Sequence, residues 1–563
     1  MIRRCLPFLL FASFAIANPV IGTDGIVNVA SYQPSGFPNS GIAQGSLFVV
    51  FGSGLGPSTL AGLGGFPIPT ELAGTSIRVT VNGVTKDALM IYTSAGQVAA
   101  LLPSSTPTGD GTLTLTYNGS ASNPAPIHVV ANSFGIFTVN QGGTGPSVTT
   151  FPNTNPARAV SLLDSAQPGQ IYTLWGTGLG AVSGDESQPS AGGDLKSKLG
   201  VKIYVGNQPA VIEYAGRSPG STGLDQINFT VPANLSGCFV PIAVQVKGVI
   251  SNFPSISIAP HGGTCSDPAG PMNEVLQRVD SGQGVRIGLV QLNRFSPKFT
   301  LAQLGDIVVN QDTGAGYFYN VSPQQFMGGL GVAALNTFSG CVVWTCRGGT
   351  CVPPTESAAV PQLDAGSSLS VSGPLGQKTM NKAAGGAYVA TLGGGDLTTP
   401  AFLDPGSYTL SASGGSGSSA VGSFSASQTV SATPVTFTSP QLLSPGADID
   451  RTRDVTINWQ GGDANGYIAI IGASTSGDST QPSTQVTGTF GCTAKGASGS
   501  FTVPSWVLSA LPPTGTLTQS NIQVSNGFFL VGKYPEFHAF SATGLDKAYF
   551  SNLVLSGLNT VYK

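Results

Sequence analysis

SLFVVFGSGLG at residues 46–56 returns as QIYTLWGTGLG at residues 170–180, and this internal repeat decides the fold of the first half of the chain. IRVTVNG at 77–83 returns as VKIYVGN at 201–207, at the same offset of 124 residues. Each copy alternates apolar and polar residues briefly and then stops at glycine or asparagine, which is typical of short strands joined by tight turns. We therefore predict two tandem β-sandwich domains, over 18–135 and 136–262.

The same short alternating pattern continues to the end of the chain, as in DVTINW at 454–459. It predicts a third β-rich domain, with a cysteine cluster, over 263–437 and a C-terminal immunoglobulin-like sandwich over 438–563, in which Trp459 is a core residue. No long amphipathic helical pattern competes with it. The predicted fold class is all-β, with tandem immunoglobulin-like β-sandwich domains joined by short linkers.

The first 17 residues have the pattern of a secretory signal peptide. Arg3 and Arg4 precede an apolar run, and Ala15-Ile16-Ala17 is a small-residue cleavage site. The run is shorter than the roughly 20 residues that a membrane-spanning helix needs. We expect a mature chain that begins at Asn18, has no membrane span and is secreted or extracytoplasmic, on the outer cell surface or in the periplasm.

The charge balance argues against a nucleic-acid partner. Charged residues are 9% of the 563-residue chain and the net charge is −3, with 23 lysines and arginines scattered thinly. A nucleic-acid-binding protein needs a clustered basic surface to neutralise phosphates. Because 40% of the residues are hydrophobic, a folded chain is favoured over a disordered one.

An even number of cysteines in an exported chain predicts disulfides. A structural zinc site is the alternative, since three of the cysteines repeat every five residues, but no histidine lies near them in sequence to complete four ligands. We predict that Cys238 bonds Cys265, because these residues flank a hairpin formed by 239–247 and 251–259. The other four share two bonds in one of three pairings. The six cysteines beyond the signal peptide are Cys238, Cys265, Cys341, Cys346, Cys351 and Cys492.

Several motifs resemble an uncharacterised exported family of Solibacter-type acidobacteria, whose repeats look like IPT/TIG immunoglobulin-like domains. They include IVNVASY at 26–32, the two glycine-rich turns and above all YAGRSPGSTGLDQINFTVP at 214–232. The first repeat departs from the pattern, with Gln97-Val98-Ala99 where the family often has Gln-Ile-Asn. The resemblance implies export and an immunoglobulin-like fold, and it does not identify a function. The matching residues of the second repeat, which we expect to be structural, are Tyr214, Gly216, Pro219, Gly220, Gly223, Gln226, Asn228 and Pro232.

Gln226 and Asn228 stand on an alternating strand, Gln-Ile-Asn-Phe-Thr-Val. Polar side chains there can bond the backbone of neighbouring loops, so we expect their loss to lower stability by roughly 1 to 3 kcal/mol if they are buried and paired.

Motifs that could carry catalysis each have a simpler structural explanation. The glycine clusters at 52–56 and 176–180 lack the GxGxxG spacing and a following helix, so we expect turns with positive φ. GRSPG at 216–220 matches a nucleophile elbow, but Pro219 has no N–H to serve as an oxyanion donor. His128, His261 and His538 have no nucleophile beside them in sequence. We predict no catalytic residue.

No metal or cofactor site is predicted either. Asp463-Ala464-Asn465-Gly466 resembles the start of a calcium loop, but Gly472 occupies the position where an EF-hand needs glutamate. An Asx turn explains these residues better.

The leading functional hypothesis is a secreted or cell-surface, non-enzymatic binding or structural protein of the adhesion type. Its partner, a protein or a polysaccharide at the cell surface, is unknown. The alternative is an accessory carbohydrate-binding protein that acts on extracellular polysaccharide, for which a row of exposed aromatics such as Tyr317, Phe318 and Tyr319 would be the discriminating feature. A hydrolase with an inter-domain site is a third hypothesis.

Overall fold

The protein is built almost entirely from β-strands arranged in several sheets. A computed structural model describes residues 18–267, 275, 278–279, 282–301, 305–327, 340–348, 360–432, 435–439, 447–519 and 522–563. The predicted signal peptide, residues 1–17, and Cys351 lie outside the described residues. The predicted all-β class is confirmed.

The first repeat is a two-sheet sandwich over residues 20–130. One sheet has the order β1-β3-β9-β8-β4 and the other β2-β12-β10-β6-β5, with β11 and β7 added to β10 and β6. Its strands are β1 (Val20–Asn28), β2 (Ile42–Ala43), β3 (Leu47–Ser53), β4 (Ala61–Gly62), β5 (Glu71–Leu72), β6 (Thr75–Val81), β7 (Val84–Asp87), β8 (Leu89–Thr93), β9 (Gln97–Leu101), β10 (Gly109–Tyr117), β11 (Ser120–Ala121) and β12 (Ala125–Val130).

The second repeat spans residues 135–258 in the order β13-β15-β18-β17-β16-β19-β20, with β14 on β15 and β21 on β19. A short helix, α1 (Lys196–Leu199), lies between β15 and β16. The strands are β13 (Gly135–Ile136), β14 (Thr149–Thr150), β15 (Ile171–Thr177), β16 (Lys202–Val205), β17 (Gln208–Arg217), β18 (Asp225–Thr230), β19 (Gly237–Val246), β20 (Val249–Ile250) and β21 (Ser255–Ile258).

The two repeats share strand register as well as strand order. Gln97 pairs with Phe51 in the first repeat, and Gln226 pairs with Trp175, 124 residues beyond Phe51, in the second. In both repeats a register shift falls just before the equivalent tyrosine, between Met90 and Tyr92 and between Ile212 and Tyr214. The internal repeat read from the sequence is therefore a repeat of structure.

The remaining strands form a 15-stranded sheet, with the main order β25-β35-β34-β39-β41-β22-β24-β28-β27-β26-β29-β30, and two small sheets, β31-β33-β36 and β37-β38. Short helices are α2 (Pro323–Met327) and α3 (Ser505–Leu508), and 3-10 turns lie at Pro482–Thr484 and Gly496–Ser498. The strands are β22 (Val285–Leu301), β23 (Gly305–Val308), β24 (Gln311–Val321), β25 (Cys341–Arg347), β26 (Ser368–Gly373), β27 (Gly376–Lys382), β28 (Tyr388–Gly394), β29 (Gly406–Ala412), β30 (Phe424–Val430), β31 (Thr436–Phe437), β32 (Ala447–Ile449), β33 (Val455–Gln460), β34 (Tyr467–Ser476), β35 (Val486–Lys495), β36 (Ser500–Val503), β37 (Thr516–Gln519), β38 (Ile522–Ser525), β39 (Gly527–Lys533), β40 (His538–Phe540) and β41 (Lys547–Tyr562).

The boundary predicted between residues 437 and 438 does not separate two sheets. β22 and β41 lie side by side in parallel, in register from Ile287 with Lys547 to Lys298 with Leu558, so strands from both sides of the boundary share one sheet. Strand periodicity carries no information about such distant partners, because it reports which face is buried and not which strand is the neighbour. We call the joint unit, residues 285–563, the C-terminal region.

The C-terminal region has one hydrophobic core at each end of the large sheet. The first gathers residues between Val290 and Val430 with Phe550, and the second gathers residues between Val435 and Tyr562 with Cys341 and Val343. Trp459 is 4% exposed in the second core, which confirms the sequence prediction. Residues of the second repeat enter the same core: the ring of Tyr204 stacks on Trp506 with 4.4 Å between centroids.

Two disulfides join described cysteines. Cys238 bonds Cys265 with 5.1 Å between their Cα atoms, which confirms the predicted pair. Cys238 lies in β19 and Cys265 follows β21, and these two strands pair antiparallel as expected. Cys341 bonds Cys492 and fixes β25 on β35.

Asp267 is a buried carboxylate next to the first disulfide, and it predicts a pH dependence of stability. Its Oδ1 accepts the N–H of Cys238 at 2.8 Å, and burial raises its pKa from 3.8 to about 6. A raised pKa in the folded state favours the neutral acid, so its contribution to stability is full below pH 3.8 and is lost as the pH rises through about 6. The loss is worth up to about 3 kcal/mol.

Between pH 4 and pH 7, the free energy of unfolding of Asp267→Asn should therefore fall less than that of the wild type. Asparagine keeps the hydrogen-bond acceptor and cannot ionise. Urea unfolding at several pH values measures the difference. Identical pH dependence in the two proteins would contradict this role of Asp267.

Candidate functional site

The family-like motif spans the end of β17, the compact turn that follows it, and β18. The Tyr214 hydroxyl donates to the Arg217 carbonyl oxygen at 2.7 Å and accepts the N–H of Gly193 at 3.1 Å. A Cβ on Gly216 would lie 1.9 Å from the Gly193 carbonyl oxygen, so only glycine fits there. The tyrosine and the glycine, both on β17, hold the end of this strand against Gly193, in the connection between β15 and α1.

The remaining motif residues shape the same turn. Pro219 and Gly220 are exposed at its tip, and Gly220 and Gly223 adopt φ values of 76° and 67°. Gly223 is buried against the first repeat, since a Cβ there would lie 2.7 Å from the side chain of Leu47. Pro232 follows the end of β18.

Gln226 and Asn228 do not bond loop backbone, contrary to the prediction. Both are half-buried on the outer face of β18, where the Gln226 amide donates to Asn228 Oδ1 at 2.9 Å. The Thr173 hydroxyl donates to the same oxygen at 3.0 Å. They form a side-chain network across two strands, because alternation turns them away from the loops at the strand ends.

Arg217 and Asp225 are two residues of this motif whose pairing the sequence did not reveal. Their side chains are 3% and 1% exposed, with Arg217 Nη1 2.8 Å from Asp225 Oδ1. Asp225 Oδ2 accepts the N–H groups of Gly178 and Leu179, each at 2.8 Å. Burial raises the pKa of Asp225, while the Arg217 charge and the two amides act against that rise.

The same guanidinium connects the two repeats. Arg217 Nη2 donates to the carbonyl oxygen of Gly45, in the first repeat, at 2.7 Å. Nearby, the Leu47 N–H donates to the Thr177 hydroxyl at 3.0 Å, and Glu186 accepts the N–H of Ser104 at 2.7 Å. The motif therefore fixes one repeat on the other, a role that no spacing within either repeat reveals.

The two glycine clusters are close-packed turns. Gly54, Gly178 and Gly180 have φ values of 64°, 112° and 121°, as predicted. Gly52 and Gly176 instead allow neighbouring groups to pack closely against the backbone. A Cβ on Gly52 would lie 2.1 Å from the Val20 carbonyl oxygen, and one on Gly176 would lie 2.2 Å from the Phe134 ring.

The histidines are at the surface and are not connected to a nucleophile. His128 lies 2.7 Å from Asp110, His261 is exposed, and His538 lies 3.9 Å from Glu536. Within the part of the chain that the structure describes, no hydrogen bond joins any of these rings to a serine, threonine or cysteine side chain.

Carboxylates of the suspected calcium loop are used in turns. Asp463 Oδ1 accepts the N–H of Asn465 at 3.0 Å, which is the predicted Asx turn. The described residues contain no group of three or more histidine, cysteine or acidic side chains placed to hold a metal ion.

The three aromatics of β24 do not form an exposed row. Phe318 is fully buried, and Tyr319 is half-buried. Tyr317, 36% exposed, stacks on Tyr319 with 6.0 Å between ring centroids. These three residues therefore do not form the row of exposed aromatic rings that the carbohydrate-binding alternative requires.

A cavity of about 330 Å³ lies where both repeats meet the C-terminal region, and we call it the junction cavity. Exposed Thr23 and Thr144 mark where it reaches solvent. The volume is in the range of small-ligand sites. Its lining consists of Gly22, Thr23, Asp24, Gly25, Val27, Ser31, Tyr32, Gln33, Pro34, Asn39, Phe51 and Gly52 of the first repeat, Gly142, Gly143, Thr144, Ser251, Asn252 and Phe253 of the second, and Val343, Thr345, Arg347 and Ala510 of the C-terminal region.

The IVNVASY motif builds one wall of this cavity. Asn28 Oδ1 accepts the N–H of Ala30 at 2.8 Å and of Ser31 at 3.2 Å, and this turn leaves Tyr32 at a φ of 50°. Positive φ is unfavourable for a bulky residue and often marks a functional site. Burial, with a smaller effect of Tyr92, raises the pKa of Tyr32 to about 12, so its hydroxyl keeps its proton at neutral pH.

The polar groups of the cavity are arranged around one compensated ion pair. Arg347 Nη2 lies 2.7 Å from Asp24 Oδ2, and Arg347 Nη1 also donates to the Ser35 carbonyl oxygen at 2.9 Å. Among the described side chains, Gln33 Nε2 and Asn39 Oδ1 are buried atoms that have no hydrogen-bond partner. Asp24 and Arg347 are the charged side chains of the lining and they neutralise each other, so the lining carries no net charge.

Comparisons with known proteins give low similarity. No protein-family model matches the chain, and no curated protein matches it in sequence. Domains 5–6 of the S-layer protein SbsC are 13% identical, with a TM-score of 0.17, covering 43% of this chain and 98% of their own. The Bacteroides ovatus protein SGBP-B, solved with a mixed-linkage heptasaccharide, is 10% identical, with a TM-score of 0.13 and coverage of 92% and 98%. Titin domains A164–A165 are 10% identical, with a TM-score of 0.11 and coverage of 39% and 90%. TM-scores this low carry no information about function.

Proposed function

We propose that this chain is an exported, non-enzymatic binding protein of the cell surface, and that its ligand enters the junction cavity. The observation that supports this most directly is the convergence of three separate regions of the chain on one cavity of small-ligand size that reaches solvent. The disulfides support an extracytoplasmic location.

Catalysis in the cavity is disfavoured by its side chains. Asp24 is the one carboxylate among the described lining residues, and it is paired with Arg347. General acid–base chemistry on a glycosidic bond needs two carboxyl groups. The lining residues include no histidine, so the inter-domain hydrolase is the weaker hypothesis.

Thr144→Trp tests the site, because the exposed Thr144 side chain lies at the mouth and a large ring there would obstruct entry. We expect wild-type protein to retain ligands from a glycan array or a phage-displayed peptide library, Thr144→Trp to lose at least about tenfold in affinity, and ligands to be recovered unchanged in mass. Thr112→Trp is the matched control, because Thr112 is also an exposed threonine but lies on β10, outside the cavity lining. Equal binding by all three proteins would place the ligand elsewhere, and cleavage of the ligand would contradict a non-enzymatic function.

A further inference from the structure

A β-bulge in β1 places an aspartate in the wall of the junction cavity. The pairing of β1 with β3 shifts between Ile21 and Ile26, and Asp24 lies inside the shift with a φ of 54°. A Cβ on Gly25 would lie 2.5 Å from the Phe51 carbonyl oxygen, so the bulge can close on β3 only with glycine there. Bulges redirect side chains and are frequent beside binding sites. This one makes Asp24 part of the cavity lining.

The ion pair between Asp24 and Arg347 retains hydrogen-bonding capacity. Asp24 Oδ1 accepts the Ser35 hydroxyl at 2.6 Å, and Oδ2 lies 2.7 Å from Arg347 Nη2. The side chains of Asp24 and Arg347 are still 25% and 24% exposed. A carboxylate can accept more than two hydrogen bonds, and a guanidinium has more N–H donors than Arg347 uses on Asp24 and Ser35. Spare acceptors and spare donors therefore lie side by side without net charge.

Tyr32 adds a hydroxyl that a ligand can reach. The residue is 7% exposed and lines the cavity, and its hydroxyl makes no hydrogen bond to any described residue. Gln33 Nε2 and Asn39 Oδ1 also have no partner, but they are fully enclosed, whereas the Tyr32 hydroxyl is not. A buried hydroxyl without a protein partner is costly unless another molecule bonds it.

Aromatic rings form the apolar part of the lining. The rings of Tyr32 and Phe51 lie 6.3 Å apart, with their planes inclined by 38°. Phe253, from the second repeat, is supported from behind by Trp506, on which it stacks with 5.9 Å between centroids. The face of an aromatic ring is negative, so it attracts the slightly positive C–H groups of a sugar ring. The aromatic surface thus lies in the cavity and not on β24, where the sequence placed it.

We propose that the junction cavity binds a neutral sugar unit, with two adjacent hydroxyl groups on Asp24 and Arg347 and a C–H face of the sugar against the aromatic rings. This proposal rests on the proposed function, which makes the cavity the ligand site. A sugar hydroxyl donates and accepts at once, so an adjacent pair can donate to the carboxylate and accept from the guanidinium. In a trans peptide the N–H and C=O groups point in opposite directions, so one peptide unit does not address both side chains. An acidic sugar would bring an uncompensated charge into a neutral lining.

Asp24→Asn tests the contact, because asparagine keeps the size of the side chain and leaves the charge of Arg347 uncompensated. The probe is an array of neutral hexose oligosaccharides and uronic acid oligosaccharides, incubated with the full mature chain. Wild type should bind a neutral glycan. Asp24→Asn should lose at least about tenfold in affinity for that glycan and should gain affinity for uronic acid glycans. Asp87→Asn, in the exposed pair with Arg78 of the same repeat, is the matched control and should bind as wild type does.

Tyr32→Phe gives a second measurement, since phenylalanine keeps the ring and removes only the hydroxyl. Affinity for the neutral glycan should fall roughly three- to tenfold, as expected for one lost hydrogen bond. Melting temperatures equal to that of the wild type would show that both variants fold. Competition with the free monosaccharide distinguishes the two sources of the sugar: affinity that rises with chain length identifies a polysaccharide, and equal affinity identifies a free sugar.

The absence of any bound neutral glycan would overturn the proposal, as would equal binding of one by wild type, Asp24→Asn and Tyr32→Phe. Parallel losses of neutral and uronic acid binding in Asp24→Asn would show a purely structural role for Asp24 and would also overturn it. A library peptide that binds wild type and is excluded by Thr144→Trp would overturn the sugar assignment while leaving the cavity as the ligand site. Glycan binding unaffected by Thr144→Trp would overturn the proposed function as well.

Discussion

Arg217→Met is expected to lower the free energy of unfolding by about 3 to 5 kcal/mol, because it leaves the buried charge of Asp225 without its counter-ion. The Asp225 side chain is 1% exposed, and water cannot replace the guanidinium there. The substitution also removes the donor to the Gly45 carbonyl oxygen, so the two repeats should unfold less cooperatively. Urea unfolding of the purified chain measures both effects.

Two further variants show whether the effect comes from burial of the pair. Arg78→Met removes one member of an exposed pair, whose side chains are 73% and 56% exposed, and should cost less than about 1 kcal/mol. Arg217→Met combined with Asp225→Asn should recover part of the loss, because asparagine keeps an acceptor for the Gly178 and Leu179 amides without a charge. Equal losses for Arg217→Met and Arg78→Met would show that burial of the pair has no energetic consequence.

Removal of the Cys341–Cys492 disulfide, by alanine at both positions, is expected to cost about 5 kcal/mol in the chain-entropy model of disulfides. This bond closes a loop with a sequence separation of 151, against 27 for Cys238–Cys265, and the same model gives about 3.5 kcal/mol for the shorter loop. Opening the longer loop gives the unfolded chain more additional conformational freedom than opening the shorter one. The informative result is therefore which of the two disulfides lowers the free energy of unfolding more when it is removed.

Tryptophan fluorescence is a suitable signal for that comparison, since Trp344, Trp459 and Trp506, three of the four tryptophans, lie in the C-terminal region. Cys238→Ala with Cys265→Ala serves as the matched pair. A larger loss for the shorter loop would contradict the entropic explanation and would point to strain or packing at the cysteines instead.

Local patterns in the sequence were sufficient for much of the fold. The offset between the two glycine-rich turns predicted the paired repeats, because residues with the same local environment recur along the chain. The Cys238–Cys265 bond was predictable since its cysteines flank adjacent strands. Trp459 was placed in the core from a single alternating strand.

The features that position the candidate site depend on contacts between distant segments. Arg217 reaches Gly45 across 172 residues, and the cavity joins Asp24 to Arg347. Neither contact leaves a periodic signal, because each involves one residue from each segment. The IVNVASY and YAGRSPG motifs could be recognised in the sequence. Their positions at the cavity wall and between the repeats depend on the distant segments of the same chain that they contact, and spacing within a motif does not report those contacts.

The parallel pairing of β22 with β41 has a consequence for the order of folding during synthesis. Ile287 lies beside Lys547, so β22 must wait for about 260 more residues before its neighbour exists. At roughly 5 to 20 residues per second, that delay is on the order of 10 to 50 seconds, while both repeats can already fold. Throughout it, one edge of β22 stays open to wrong partners, and pairings of this sequence separation are slow to form. The arrival of β41 therefore determines when this edge of the 15-stranded sheet is no longer available for aggregation.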